Sequence, residues 1–293
     1  MYNSANPTNN KELKIKVLID NAPHPEKPLQ TEHGLSIWFE IDTQKWLLDL
    51  GDSSAFAENA SHLGINLSEV DYVLLSHGHK DHTGGLAQFL TINHHATIFL
   101  SENMPGQIYL SLRDGLKRDI SIDHKLLKKH PHRFRYIGDN TIVNSHVAIV
   151  CKLQGDFPAP LANQSLFIER DGTIMPDDFT HELAISIKTA QGMTVLSGCA
   201  HNGILNTLHA VSAFHGHNHI NCYFGGTHLP DSRGGRNYET GEDIDSIAWH
   251  LKTNFPEMQL ITSHCTGNKA KEIFNDTLKN KLTTFYSGFS IEL

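Results

Sequence analysis

The segment Ser76-His77-Gly78-His79-Lys80-Asp81-His82 limits this chain more than any other stretch, because it sets four ligand-type side chains within six positions. It follows Tyr72-Val73-Leu74-Leu75, a short apolar run of the kind that forms a buried strand. In extended backbone, residues two apart point the same way, so His77 and His79 can present two imidazoles to one metal ion. Asp81 and His82 fall where the chain turns toward a helix, so they point elsewhere and suit a second ion. Gly78 keeps the loop slim between the histidines, and Gly84-Gly85 admit backbone angles that other residues avoid. An incidental polar loop would rarely concentrate ligands in this way.

The surrounding sequence alternates strands and helices. Leu13, Ile15, Val17 and Ile19 recur at the period of a half-buried strand, and Leu35, Ile37, Phe39 and Ile41 repeat it. Lys45 to Leu48 lead into Asp49-Leu50-Gly51, which ends a third strand. Phe56, Ala60 and Leu63 fall at helical spacing, with Gly64 as the stop. Leu86, Phe89 and Leu90 open another helix. Strand-like runs return at 96–100, 184–188, 193–196, 220–224 and 260–262, and helices fit 204–214 and 245–254. The stretch 101–179 holds a basic helix candidate (123–130) among segments broken by Pro and Gly. A lid or insertion within 101–180 is expected there, inside a single domain spanning 1–293. The whole pattern is α/β, with strand-end loops as the natural place for a site.

Composition narrows the function classes. A formal net charge of −8 gives no global basic field to attract nucleic acid or an anionic membrane. Histidine, the commonest neutral nitrogen ligand for transition metals, makes up 21 of the 293 residues. Cys151, Cys199, Cys222 and Cys265 form no CxxC pair and are too few for a disulfide framework. The polar start Met1-Tyr2-Asn3-Ser4-Ala5-Asn6 lacks the apolar core of a signal peptide, and no run of roughly 18 apolar residues occurs. These features point to a cytoplasmic protein with a small-molecule substrate; a homodimer stays open.

The loop 77–82 resembles the HxHxDH signature of the metallo-β-lactamase superfamily, and Leu47-Leu48-Asp49-Leu50-Gly51 looks like that superfamily's first motif, whose aspartate braces the metal loop. Glu32-His33-Gly34-Leu35-Ser36, Ser197-Gly198-Cys199-Ala200-His201-Asn202-Gly203-Ile204, Gly225-Gly226-Thr227-His228-Leu229 and Ser263-His264-Cys265-Thr266-Gly267 are similar to one subgroup within it. That subgroup holds predicted metal-dependent hydrolases, and some members are described as synthases of a ribofuranosylaminobenzene-phosphate pterin precursor. The resemblance implies an αβ/βα sandwich of two central mixed β-sheets flanked by helices. It implies a first metal site of His77, His79 and His201, and a second of Asp81, His82 and His264. His181 is the rival to His201. The superfamily's usual bridging aspartate has no counterpart here, because Asn221 to Phe224 lead to Gly225-Gly226-Thr227-His228. His228 therefore stands as a ligand, a substrate contact or a turn cap, and one or two ions are both open.

Cys199 and Cys265 lie within two residues of implied ligands; either could serve as a soft ligand, although a small buried thiol is the commoner state. His94-His95 and His215-Gly216-His217-Asn218-His219 lack a second ligand element and read as solvated. A divalent ion (zinc first, manganese or iron next) held by imidazoles provides hydroxide near neutral pH, with Asp81 orienting the nucleophile and moving its proton. The expected reaction is hydrolysis of an ester, lactone, amide, thioester or phosphoester on a small anionic metabolite. Arg233 and Arg236, on a Gly-rich loop after His228, are candidate anion contacts. A pterin-precursor synthase with the same metals, and a non-hydrolytic metal-binding or redox protein, are the alternatives.

Overall fold

The computed structural model describes residues 12–113 and 115–293; the polar N-terminal start lies outside the described residues. The first sheet runs β18 (Ser290–Glu292), β1 (Lys14–Ile19), β2 (Ser36–Ile41), β3 (Gln44–Leu48), β4 (Tyr72–Leu74), β5 (Thr97–Ser101) and β8 (Phe134–Ile137). The second runs β17 (Leu282–Thr284), β16 (Gln259–Thr262), β15 (Ile220–Phe224), β14 (Met193–Ser197), β13 (Ala184–Lys188), β10 (Val147–Val150) and β9 (Thr141–Ile142). Each is mixed. β3, β4, β5 and β8 are parallel neighbours in the first sheet, as are β14, β15, β16 and β17 in the second.

The strand sequences explain the layering. In β2, Ile37, Phe39 and Ile41 enter the core between the sheets while Trp38 faces outward. In β15, Cys222 and Phe224 join that same inner core while Ile220 and Tyr223 pack outward. Alternation sends successive side chains to opposite faces, and strands apolar on both faces need cover on both. The outer face of the first sheet is covered by α1 (Ala55–His62), α3 (Leu86–Ile92) and α4 (His124–Lys129), through Phe56, Ala60, Leu86, Phe89 and Leu127. On the second, α5 (Ile204–His215), α6 (Gly241–Asn254) and α7 (Asn268–Leu278) bury Leu208, Val211, Ala248, Leu251 and Phe274. The result is the helix–sheet–sheet–helix sandwich implied by the motifs. α2 (Lys80–Thr83) is a single turn inside the histidine loop.

Helix ends follow local chemistry. Thr240 caps α6 by accepting from Asp243 N–H while the Asp243 carboxylate accepts from Thr240 N–H, so the helix begins four residues before the expected 245. The stretch 101–179 is more ordered than its composition suggests. It supplies β8, β9 and β10 to the two main sheets and the whole of a third, four-stranded sheet of β12 (Thr173–Pro176), β11 (Leu166–Arg170), β6 (Ile108–Arg113) and β7 (Leu116–Asp119). All its pairings are antiparallel. No helix among the described residues is long and apolar enough to cross a membrane.

Candidate metal centre

Apart from Glu32-His33-Gly34-Leu35, which lead into β2, the motif residues sit at the carboxyl ends of strands with parallel neighbours, the position where open α/β sheets place ligands. Asp49 follows β3, the loop 77–82 follows β4, Cys199 and His201 follow β14, His228 follows β15 and His264 follows β16. The two sheets thus face their loops toward one point. At that point Asp49 (φ +61°), Ala200 (+62°), His228 (+50°) and Cys265 (+51°) all hold left-handed backbone, a strain that persists only where surrounding structure dictates it. The loops also approach closely. A Cβ on Gly198 would lie 2.2 Å from Ser76 Oγ, and one on Gly78 would lie 2.1 Å from the Tyr109 ring. Only glycine fits at either position.

Hydrogen bonds fix how the imidazoles point. Asp49 Oδ1 accepts from Ser76 N–H at 2.7 Å, and its Oδ2 accepts from Ser76 Oγ at 2.7 Å and His82 Nδ1 at 2.6 Å. The Ser76 hydroxyl has then used its single proton, so it accepts from His77 Nδ1 at 2.9 Å. Asn163 donates Nδ2 to the His201 carbonyl, leaving its Oδ1 to accept from His201 Nδ1 at 3.0 Å. Asn21 likewise offers Oδ1 to His264 Nδ1 at 3.0 Å. All four rings are left turning Nε2 inward, the orientation that outer partners give to metal-binding histidines.

Those nitrogens meet. His77 Nε2 and His201 Nε2 are 3.2 Å apart, and so are His82 Nε2 and His264 Nε2. In the first pair both nitrogens are unprotonated and repel unless a cation lies between them; in the second, a metal would take the place of a proton that Asp81 and Asp49 favour on His82. Two nitrogens on one tetrahedral zinc, each about 2.0–2.1 Å from it, are roughly 3.3 Å apart. The donor set therefore fits a divalent ion at both positions. Asp81, whose Oδ2 is 3.4 Å from His82 Nε2 and 3.8 Å from His264 Nε2, adds the carboxylate to the second pair.

The two halves differ electrically. Burial, aided by neighbouring histidines, holds His77 and His201 well below the ordinary imidazole range, and burial depresses His79 to about 3. These rings are neutral and ready to donate. Burial also opposes charge on His82, but Asp81 and Asp49 override it and raise its pKa well above the usual value. For Asp81, burial resists ionisation, yet His82, His33 and His264 keep the carboxyl well below its usual range. Positive charge is stabilised at this half whether a proton or a metal supplies it.

Further residues surround this core. His79 is buried, and its Nε2 makes no hydrogen bond while lying 4.0 Å from Asp177 Oδ2. His181 accepts Gly78 N–H on Nδ1 and donates Nε2 to Asp177, both at 3.1 Å, so both its nitrogens support the loop. Glu182, fully buried, accepts the backbone N–H groups of His201 at 2.6 Å and Asn202 at 2.8 Å. Sequence reading missed Asp177 and Glu182 in these positions; their only signal was proximity to His181. His228 is buried with its ring 4.1 Å from that of His201, and neither of its nitrogens makes a hydrogen bond. Cys199 Sγ lies 3.1 Å from His82 Nε2 and 3.6 Å from Cys265 Sγ. His215 instead bonds Ser186 Oγ, outside the centre.

The centre opens into a cleft of about 750 Å³ whose walls include Arg233 and Arg236. The cleft is also lined by Arg113 of β6 and Arg118 of β7, two cations that no sequence motif marks, together with Lys80 and Lys271. The segment that follows β7 also steadies the loop itself: Lys80 N–H donates to the Ile120 carbonyl, and Ile122 N–H to that of Gly78.

Residues 30–200 match the model of the metallo-beta-lactamase superfamily, more than half of the chain, and the protein belongs to that superfamily. A curated relative from Methanocaldococcus jannaschii, 7,8-dihydropterin-6-methyl-4-(beta-D-ribofuranosyl)-aminobenzene-5'-phosphate synthase, is 25% identical over 296 residues, covering 94% of this chain and 95% of that protein. The crystal structure of Tm1679, described as a metal-dependent hydrolase of the beta-lactamase superfamily, aligns with a TM-score of 0.76 at 26% identity, covering 96% of this chain and 99% of that one. The metallo-beta-lactamase fold protein YhfI from Bacillus subtilis shares the fold, with a TM-score of 0.58 at 12% identity over 97% of this chain and 100% of its own. Membership implies divalent-metal binding, and the buried histidine, aspartate and cysteine groups are candidate ligands for it.

Proposed function

We propose that the chain is a zinc-dependent hydrolase of a small anionic metabolite, with a lesser capacity for manganese or iron. The observation that carries this reading is the two pairs of facing Nε2 atoms, His77 with His201 and His82 with His264, each ring set by an outer hydrogen bond. His77, His79 and His201 would hold one ion; Asp81, His82 and His264 would hold the other. When bound, divalent ions supply Lewis acidity and a nucleophilic water near neutral pH.

The chain's own groups do the rest. The Asp81 carboxylate would orient the attacking water and pass its proton to the leaving group, completing addition of water across the scissile bond. His33 Nε2, 3.5 Å from Asp81 Oδ2, orients that carboxylate from the solvent side. Arg113, Arg118, Arg233 and Arg236, which line the cleft, bind the anionic end of the substrate. The third sheet, within 101–180 and part of the same single domain, serves as the cover over this cleft. Cys151, Cys199, Cys222 and Cys265 are all unpaired, which supports a cytoplasmic location.

A second reading, synthesis of a phosphate-bearing pterin precursor, is favoured by the Methanocaldococcus jannaschii relative, similar over 94% of this chain. One experiment separates the two. Metal-loaded protein is screened against esters, lactones, thioesters, phosphomonoesters and phosphodiesters, with chelated protein as control. Metal-dependent cleavage of an anionic member supports the hydrolase. Phosphate esters that bind but are never cleaved favour the synthase, and full activity without metal overturns both.

A further inference from the structure

We infer that Cys199 supplies the anionic ligand shared by the two metal positions, in place of the aspartate that this chain lacks; the inference rests on the two-site reading above. Three observations carry it. Cys199 Sγ belongs to the cluster of Asp81, His82 and His264, and also to that of His77 and His201, with ligand atoms inside each cluster within 4.8 Å of one another. Asp81 also groups with both halves, with His77 and His79 and with His82 and His264, and Cys199 is the one thiol that does so. The site therefore has one sulfur within reach of both ligand sets.

Charge supplies the second argument. Two divalent ions held by neutral imidazoles would meet a single carboxylate, Asp81, among the side chains grouped there. Burying that much uncompensated positive charge is costly, and a thiolate within reach of both ligand sets offsets it for both ions. Gly225-Gly226-Thr227-His228, where a carboxylate would be expected, provides none. Thiolate is moreover a good zinc ligand.

The third argument is a contrast within the chain. Cys222 is an ordinary packing cysteine, buried among Phe224, Ile261 and Leu196 in the core between the sheets. Cys199 is equally buried but belongs to none of the three apolar clusters among the described residues. Its neighbours are imidazoles, a carboxylate and a second thiol. His228, buried with neither ring nitrogen making a hydrogen bond, groups with Cys199 and Cys265. A ring N–H there would steady a thiolate on Cys199.

Full-length protein loaded with zinc or cobalt(II) tests this. Zinc X-ray absorption should show a sulfur neighbour at about 2.3 Å, and cobalt protein should show thiolate-to-metal charge-transfer absorption in the near ultraviolet. Both signals should vanish in Cys199→Ser and persist in Cys265→Ser. Bound metal should fall from two equivalents to one in Cys199→Ser. Cys199→Asp restores a carboxylate and should keep two equivalents while losing the sulfur signals; circular dichroism verifies that each variant folds. Wild-type protein that binds two ions without a sulfur neighbour overturns the inference alone. So does a sulfur signal that survives Cys199→Ser, or one lost only in Cys265→Ser. Absence of any bound metal overturns the underlying two-site reading instead.

Discussion

Asp49 Oδ2 accepts the Nδ1 proton of His82 at 2.6 Å, and through Ser76 the same carboxylate also fixes the tautomer of His77. One residue at the end of β3 thereby aims a ring at each of the two proposed ion positions. It touches neither position itself.

Asp49→Asn should therefore weaken metal binding without displacing any ligand. The amide can present a donor where His82 and Ser76 need an acceptor, so both rings lose their enforced orientation. Loss of an outer partner of this kind typically lowers metal affinity by about 10–100-fold. Competition against a chromophoric chelator would measure the change. Wild-type affinity in a folded variant would show that Asp49 only packs.

Removing metal should also lower stability. Facing lone pairs at 3.2 Å in the neutral His77–His201 pair make the metal-free arrangement self-repelling there. A ligand that binds only the folded state adds about 4 kcal/mol when present at about 1,000 times its Kd. Melting curves with zinc and with chelator should accordingly differ by several degrees, the chelated protein unfolding first. Coincident curves would argue against a filled site.

The motif residues could be read from sequence because each ends an apolar strand. His201 follows Met193-Thr194-Val195-Leu196-Ser197, and His264 follows Leu260-Ile261-Thr262-Ser263, so local pattern and chemistry agree. What supports them could not be read the same way. Asn163 meets His201 across 38 residues, Asn21 meets His264 across 243, and His181 meets Gly78 across 103. No local spacing encodes such pairs. The third sheet hid for a different reason: Ile108, Leu112, Leu116, Ile174 and Met175 are exposed, so its strands lack a clean buried stripe. Its arginines carry no motif, and only the folded cleft brings Arg113 and Arg118 together with Arg233 and Arg236.

Those four arginines lead to a prediction about affinity. If they bind the anionic end of the substrate equally before and during the reaction, truncation should raise KM and leave kcat nearly unchanged. A hydrogen bond to a charged group contributes about 1.5–3 kcal/mol, so Arg233→Ala or Arg113→Ala should raise KM roughly 10–100-fold for an anionic substrate. A neutral analogue should show no such change. Equal losses for both substrates would remove these residues from recognition.

Acid should destabilise the metal-free protein, and the sign follows from the buried rings. His77, His79 and His201 have folded-state pKa values below the unfolded value of about 6.5, so between the two values the unfolded chain binds more protons. Stability from these groups is present above pH 6.5 and is lost as pH falls toward about 3, the value for His79. Each contributes a slope of up to about 1.4 kcal/mol per pH unit in that window. Asp81, whose carboxyl is held well below its ordinary 3.8, adds a loss in the same direction at still lower pH. His82 and His264 are shifted upward, so their contribution is intact below pH 6.5 and declines only as pH rises through their folded values. They cannot cancel the acid-side slope. Denaturant midpoints of chelated protein, measured from pH 7 down to 4, should fall steadily, and His79→Phe should flatten part of that fall. A profile unchanged by His79→Phe would mean that this ring is not buried neutral in the metal-free fold.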